Sequence, residues 1–205
     1  MDPKLRAVAE AAKGFMPSEE GLALYEAGLE AARIGPLLEI GTYCGKSAVY
    51  LGAAARESGT VLFTIDHHRG SEEIQPGWEH HDPELVDPTS GRMDSLPFFR
   101  RTVSDAGLES FVIAIVGDSP TVAAHWEAGL GLVFIDGAHS EELAMADYEA
   151  WAPKLAIGGL LAIHDVFEDP TLGGRGPFLA YRQAVSEDGF DEVVATGSLR
   201  VLQGA

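Results

Sequence analysis

The chain has 205 residues, 46% hydrophobic and 22% charged, a soluble globular composition with room for one sizeable core and most simply one domain over 1–205. Its 32 acidic and 14 basic residues leave a formal net charge of −18, which repels phosphate backbones and anionic lipid and argues against nucleic acid or membrane as partner. The single cysteine, Cys44, excludes an internal disulfide framework. No apolar run approaches a membrane span of ~20 residues. The opening MDPKLRAVAEAAKGF lacks the apolar core of a signal peptide, so a reducing, cytoplasmic setting is expected.

Residues 1–33 read as one or two amphipathic helices, with Pro17-Ser18-Glu19-Glu20 as a turn into a new helix. Apolar runs of strand length follow at 36–40, 61–65, 111–116, 132–135, 159–163, 191–195 and 198–202. The first five are nearly continuous in apolar residues, as strands buried on both faces are. Helical patterns at 46–57, 94–107, 119–127 and 140–155 lie between them. The alternation predicts βαβ units and a doubly wound, Rossmann-like α/β fold. Only Thr196 and Gly197 separate the last two runs, which predicts an antiparallel hairpin at the sheet edge. Residues 67–93 show no sustained period. A loop of that length after the second strand is expected to be functional, because open α/β sheets bind ligands at the carboxyl ends of their strands. A second loop, 168–176, follows the fifth strand at the same edge.

The segment Leu37-Leu-Glu-Ile-Gly-Thr-Tyr-Cys-Gly-Lys-Ser47 is a buried strand, a turn with Gly41 and Gly45, and a helix start. Its Gly-x-x-x-Gly spacing is not the Gly-x-Gly-x-x-Gly of dinucleotide folds. The acidic Glu39 before the turn opposes a pyrophosphate and suits a ligand bearing an ammonium and a sulfonium. Asp66 ends the next strand, where a carboxylate can bind a ribose diol. Gly117-Asp118-Ser119 ends the third, placed to meet an adenine edge. Cys44 reads as a small buried filler.

These residues resemble a family. Leu38-Glu-Ile-Gly-Thr-Tyr-Cys-Gly-Lys-Ser-Ala-Val49 resembles the first motif of class I S-adenosylmethionine methyltransferases, closest to the metal-dependent catechol O-methyltransferase group. The likeness continues in order through Val116-Gly-Asp-Ser119, Leu132-Val-Phe-Ile-Asp136 and Ile163-His-Asp-Val166. It implies a seven-stranded sheet whose last strand is antiparallel. It also implies that Glu39, Gly41 and Tyr43, with Gly45 and Ser47 in the same turn, line the methionine end. Asp66 would hold the ribose, with Asp118 and Ser119 flanking the adenine. Edge hairpins and long N-terminal segments are common dimer surfaces in such enzymes, which implies a homodimer.

Methyl transfer to a hydroxyl needs an aligned nucleophile and a way to remove its proton. The fourth strand ends in Asp136-Gly-Ala-His139 and the fifth in His164-Asp165. Two adjacent parallel strands therefore deliver two aspartates and two histidines to one edge. By the resemblance, Asp136 binds magnesium, His164-Asp165 stands where the family has a metal-binding Asp-Asn, and His139 replaces the family's catalytic lysine. Asp136 and Asp165 suit a hard cation such as magnesium. His164 opens the site to manganese or zinc. His139 suits a general base. Asp136 as a cap of the following helix, and His164 as a hydrogen-bonded core histidine, remain the plainer alternatives.

The 67–93 loop carries His67, His68, Arg69, Trp78, His80 and His81. It reads as an acceptor-binding lid, with Trp78 offering an apolar face and the polar groups hydrogen-bonding a hydroxyl-rich substrate. A zinc site or a solvated loop are alternatives. Asp66-His-His-Arg-Gly-Ser71 and Pro76-Gly-Trp-Glu-His-His81 are similar to a bacterial branch of the family that methylates the 1-hydroxyl of methylmannose polysaccharide precursors. The expected activity is therefore methyl transfer to a small hydroxyl acceptor, a sugar. A phenol O-methyltransferase, a nucleotide-binding oxidoreductase and a non-catalytic S-adenosylmethionine-binding protein are the rivals.

Overall fold

A computed structural model describes residues 1–71, 75, 81–169 and 171–204. Two N-terminal helices, α1 (Pro3–Ala11) and α2 (Ser18–Ala31), precede the first strand. Asp2 starts α1 by accepting from the Lys4 amide at 2.8 Å, with Pro3 in the first turn. The strands are β1 (Leu37–Ile40), β2 (Leu62–Asp66), β3 (Val112–Val116), β4 (Leu130–Ile135), β5 (Leu155–Ile163), β6 (Asp191–Thr196) and β7 (Leu199–Gln203). They form one seven-stranded sheet in the order β3-β2-β1-β4-β5-β7-β6. β7 runs antiparallel to both β5 and β6. The doubly wound α/β fold and its antiparallel last strand are as expected.

The strands split their side chains between two cores, as the two-residue period requires. Leu37, Leu132, Phe134, Leu160 and Val201 pack on the face covered by α1, α2, α3 (Lys46–Ser58) and α4 (Leu96–Asp105). Leu38, Val133, Ile135, Leu161 and Leu202 pack on the opposite face, under α5 (Ser119–Ala123), α6 (Glu141–Trp151) and α7 (Gly176–Ser186). Helices on both faces leave the carboxyl ends of the parallel strands as the open edge.

Several expectations need correction. β3 is not buried on both faces: it is the sheet's edge, with Ile113 and Val116 exposed. Helix α6 stops at Trp151, a 3-10 turn through Pro153 ends it, and β5 begins as early as Leu155. Helix α5 is one turn, not the expected 119–127. Helix α7 has no counterpart among the expected segments. Its buried stripe is Gly176, Pro177, Ala180 and Ala184, small residues that give close approach but little hydrophobic signal.

Candidate active site

The strand ends frame a cleft of about 620 Å³. Its floor is the turn after β1. Gly41 has φ +81°, and a Cβ there would fall 2.2 Å from the Asp136 backbone oxygen, so glycine is what lets β1 and β4 end side by side. Tyr43 also has positive φ, at 49°. The Asp66 carboxylate holds this turn: Oδ2 accepts from the Thr42 and Tyr43 amides at 2.9 and 2.8 Å, and Oδ1 from the His68 amide at 2.7 Å. Asp66 therefore stitches the β1 and β2 exits together, and any ribose contact would use its remaining lone pairs.

Glu39 lies beneath the turn, fully buried, and neither carboxylate oxygen has a hydrogen-bond partner. Burial pushes its pKa up to about 8. The Ser47 and Thr42 hydroxyls ease it downward without forming a well-aligned bond, while Asp136 pushes it up further. Thr42 Oγ1 and Thr64 Oγ1 are likewise unpartnered, and Thr64 faces Glu39 across β1 and β2. Unpaired buried polar groups are costly. This cluster fits a site that a cationic ligand completes.

Asp118 and Ser119 line the cleft at the far end. Asp118 caps α5, accepting from the Thr121 amide at 3.0 Å and from the Thr121 hydroxyl, and that hydroxyl and amide hold its pKa low. Ser119 Oγ accepts from Trp151 Nε1 at 2.8 Å. Asp147 of α6 lines the same end and was not singled out from sequence. Burial raises its carboxyl to about 6.

The opposite end holds the acid–histidine cluster. Asp136, His164 and Asp165 each offer a ligand atom, all within 4.8 Å of one another. Side chains gathered this closely can converge on a divalent cation. His164 is buried, with Nδ1 3.0 Å from Asp136 Oδ1 and 3.4 Å from Asp165 Oδ2. Its Nε2 lies 2.6 Å from Oε2 of Glu20. Burial opposes the imidazolium, but Asp136, Asp165 and Glu20 outweigh it and push the pKa up to about 12. His139 Nε2 lies 3.1 Å from Asp165 Oδ2. His139 and His164 together hold the Asp165 carboxyl below its usual range despite burial. The helix after His139 is capped by Ser140, which accepts from the Leu143 amide, so Asp136 is not a cap and faces the cleft.

Of the expected lid residues, His67 lines the cleft. His68, at φ +56°, turns the other way: it is buried, bonded through Nδ1 to Ser95 at 2.8 Å and packed on Phe99, and burial lowers its pKa. Arg69 donates to the Met93 carbonyl at 3.2 Å. Arg69 and His81 are not among the cleft-lining residues, and Trp78 and His80 lie outside the described residues. The sequence pattern missed the segment after α1. Gly14, Phe15 and Met16 line the cleft, Phe15 sits 5.9 Å from the Tyr43 ring, and Lys13 pairs with Asp82 and with Glu84 at 2.7 Å. Phe167, just before the 168–176 region, and Leu172 within it add an apolar rim. Only the ring at Phe15 hinted at this strap.

A methyltransferase-domain family matches residues 38–166. The chain belongs to that family. The matched span runs from β1 to the end of the acid–histidine cluster and takes in the whole cleft floor. Among solved structures, the chain resembles the O-methyltransferase TomG of Streptomyces achromogenes, solved in complex with SAM (TM-score 0.65, 18% identity, 100% of this chain and 91% of that one). It also resembles an O-methyltransferase from Bacillus cereus in complex with SAH (0.64, 17%, 99% and 91%). A third is the SAH-bound methyltransferase PaMTH1 of Podospora anserina (0.66, 14%, 100% and 89%). At these identities the likeness is one of fold, and it extends over nearly the full length of each. Among the described residues of this methyltransferase, no helix is long and apolar enough to cross a membrane.

Proposed function

We propose that this methyltransferase moves the methyl group of S-adenosylmethionine to a hydroxyl of a small acceptor. The observation that carries the reading is the cleft with what lies beneath it: an unpartnered buried glutamate under the glycine turn that floors the cleft, and His139 with three metal-competent side chains at the other wall. Glu39, Gly41, Tyr43, Gly45 and Ser47 would serve the methionine end, Asp66 the ribose, and Asp118 and Ser119 the adenine. Asp136, His164 and Asp165 would hold a divalent cation, magnesium by the carboxylates' preference. Bound there, a cation lowers the pKa of an acceptor hydroxyl and orients it.

The rest falls to the chain. The Asp165 carboxylate, 3.1 Å from His139 Nε2, would stabilise the imidazolium formed when His139 takes the proton of the acceptor hydroxyl. The acceptor oxygen takes the methyl group in line, and the sulfur keeps the electron pair as a thioether.

The acceptor we propose is a sugar, such as the 1-hydroxyl of a methylated mannoside. The Phe15 and Phe167 rings at the mouth offer stacking faces, beside polar His67 and Ser71. The same apolar rim, with Leu172, favours a second reading, a phenolic acceptor. A homodimer remains part of the proposal. The deciding experiment is thermal unfolding with S-adenosylmethionine, S-adenosylhomocysteine or NAD, each with magnesium or EDTA, followed by methylated mannosides and catechols as acceptors. A rise with the S-adenosyl ligands alone supports the reading, since a ligand that binds only the native state must stabilise it. A rise with NAD alone, or no rise, overturns it.

A further inference from the structure

Glu20 stands in the first turn of α2, 144 positions before His164 in the chain, and is 3% exposed. A first-turn glutamate is ordinarily a solvated group favoured by the helix dipole. This one points inward. Oε2 lies 2.6 Å from His164 Nε2, and Oε1 accepts from the Ser198 amide at 2.6 Å. Ser198 Oγ lies 3.3 Å from Oε1 and also reaches Asp165 Oδ1 at 3.4 Å. The turn between β6 and β7 is shaped around the carboxylate: a Cβ on Gly197 would fall 2.0 Å from Oε1. None of the cleft-lining residues comes from α2. Glu20 therefore reaches the cleft only through His164 and Ser198.

A buried carboxylate survives when it is paired and hydrogen-bonded. Those bonds also decide something about His164. An imidazole ring has two nitrogens, and the bond made by one fixes what the other presents. Glu20 is an acceptor only, so it demands a proton on Nε2. Nδ1 then points between Asp136 and Asp165 at 3.0 and 3.4 Å. Without a cation Nδ1 donates to these carboxylates as well; with Nε2 committed to Glu20, Nδ1 is the nitrogen that would give up its proton and offer a lone pair to a cation held there. A histidine metal ligand anchored through its other nitrogen is a general pattern, and loss of the anchor typically weakens metal affinity about 10–100-fold.

We infer that Glu20 is a positioning residue for metal binding: it anchors His164 through Nε2, presents Nδ1 to a divalent cation between Asp136 and Asp165, and thereby ties the N-terminal helix and the β6–β7 turn to the reaction centre. The inference rests on the metal-assisted reading above. Glu20 touches neither acceptor nor cofactor in this arrangement.

The test is a Mn²⁺ titration of the full-length protein by calorimetry, comparing wild type, Glu20→Gln, Glu20→Ala and His164→Ala. S-adenosylhomocysteine affinity and the unfolding midpoint report on folding. Glu20→Gln keeps an oxygen acceptor for one donor but loses the charge. The expected order of weakening is Ala above Gln above wild type, with Glu20→Ala down about 10–100-fold and approaching His164→Ala. S-adenosylhomocysteine affinity should stay within about twofold. If Glu20→Ala does not fold, Glu20→Gln decides together with ¹⁵N NMR of the magnesium-loaded wild type. That spectrum should show His164 protonated at Nε2 and bare at Nδ1, and a proton on Nδ1, with or without one on Nε2, overturns the inference. Wild-type Mn²⁺ affinity in a folded Glu20 variant overturns the inference and leaves the metal-assisted reading standing. No Mn²⁺ binding by the wild type overturns both.

Discussion

Replacing Glu39 by glutamine separates a strand carboxyl kept for a ligand from one kept for the fold. Both oxygens are buried without a partner, and burial raises the pKa to about 8 from an ordinary 4.5. The sign follows from linkage. A group whose folded pKa is raised favours the folded state fully below its unfolded pKa, and that contribution drains away as pH rises toward the folded value. From about pH 4.5 to 8 the ligand-free wild type should therefore lose stability relative to Glu39→Gln, which has nothing to titrate there. One tenfold factor per pH unit across that interval sets a ceiling of about 5 kcal/mol. Relaxation and water entry bring the expected difference to about 2–4 kcal/mol at pH 8 and near zero at pH 4.5. For a chain of this size that is several degrees in the unfolding midpoint. Denaturant unfolding of both proteins at half-unit steps from pH 4.5 to 8.5 measures it. A stability difference that does not change with pH would refute the reasoning, because it would mean that Glu39 is already ionised and compensated in the free protein. The same substitution should weaken S-adenosylmethionine binding, since a cationic ligand is what the proposed function supplies to this carboxylate.

Three further outcomes are expected. Gly41→Ala would put a methyl 2.2 Å from the Asp136 carbonyl at φ +81°, and should lower the denaturation free energy by more than about 2 kcal/mol. Asp66→Asn turns an amide nitrogen toward one of three backbone donors; a loss of about 1–3 kcal/mol, with weaker S-adenosylhomocysteine binding by calorimetry, is expected, and unchanged values would mean that the clamp does not hold the turn. His139→Ala should cut turnover about 10²–10⁴-fold while leaving S-adenosylhomocysteine affinity unchanged, measured once an acceptor is in hand.

The parts of the site written in contiguous residues were legible in the sequence. The β1 turn announces itself because Gly41, Gly45 and the helix start lie within a few positions and obey local rules. Asp136, His139, His164 and Asp165 could be brought together because β4 and β5 are adjacent parallel strands, and parallel strands end at one edge. What depends on long-range packing was not legible. The run FVIAIV is as apolar as β1, yet it forms the edge, because apolarity alone does not reveal whether a neighbour exists on the far side. His67 and His68 look equivalent, but a left-handed backbone at His68 sends one ring to the cleft and the other to Ser95. Helix α7 hid because its buried stripe is glycine, proline and alanine. Glu20 hid because its partner is 144 residues away, and nothing in Ser-Glu-Glu distinguishes the glutamate that faces solvent from the one that faces a histidine.

The charge of the cleft leads to one further expectation. Asp66, Asp118, Asp136, Asp147 and Asp165 line it, against Lys13, Lys46 and the histidines, within a protein of net charge −18. S-adenosylmethionine and S-adenosylhomocysteine differ by one methyl group and one positive charge, so under the proposed function the ratio of their affinities isolates the field at the sulfur. One carboxylate at a few ångströms across partly wet protein contributes on the order of 1 kcal/mol. The screening length falls from about 10 Å at 0.1 M salt to about 3 Å at 1 M. The preference for S-adenosylmethionine should therefore fall several-fold between those salt concentrations, with S-adenosylhomocysteine nearly unaffected. Paired calorimetric titrations at the two salt concentrations, with the divalent ion held constant, measure the ratio directly. A ratio that does not move would place the sulfur away from the carboxylates, and would refute the placement of the reacting centre between the β1 turn and the β4 and β5 exits. A falling ratio has a kinetic corollary: the product is held more weakly than the substrate by the same field, so the arrangement that draws the cation in also favours release once its charge is gone.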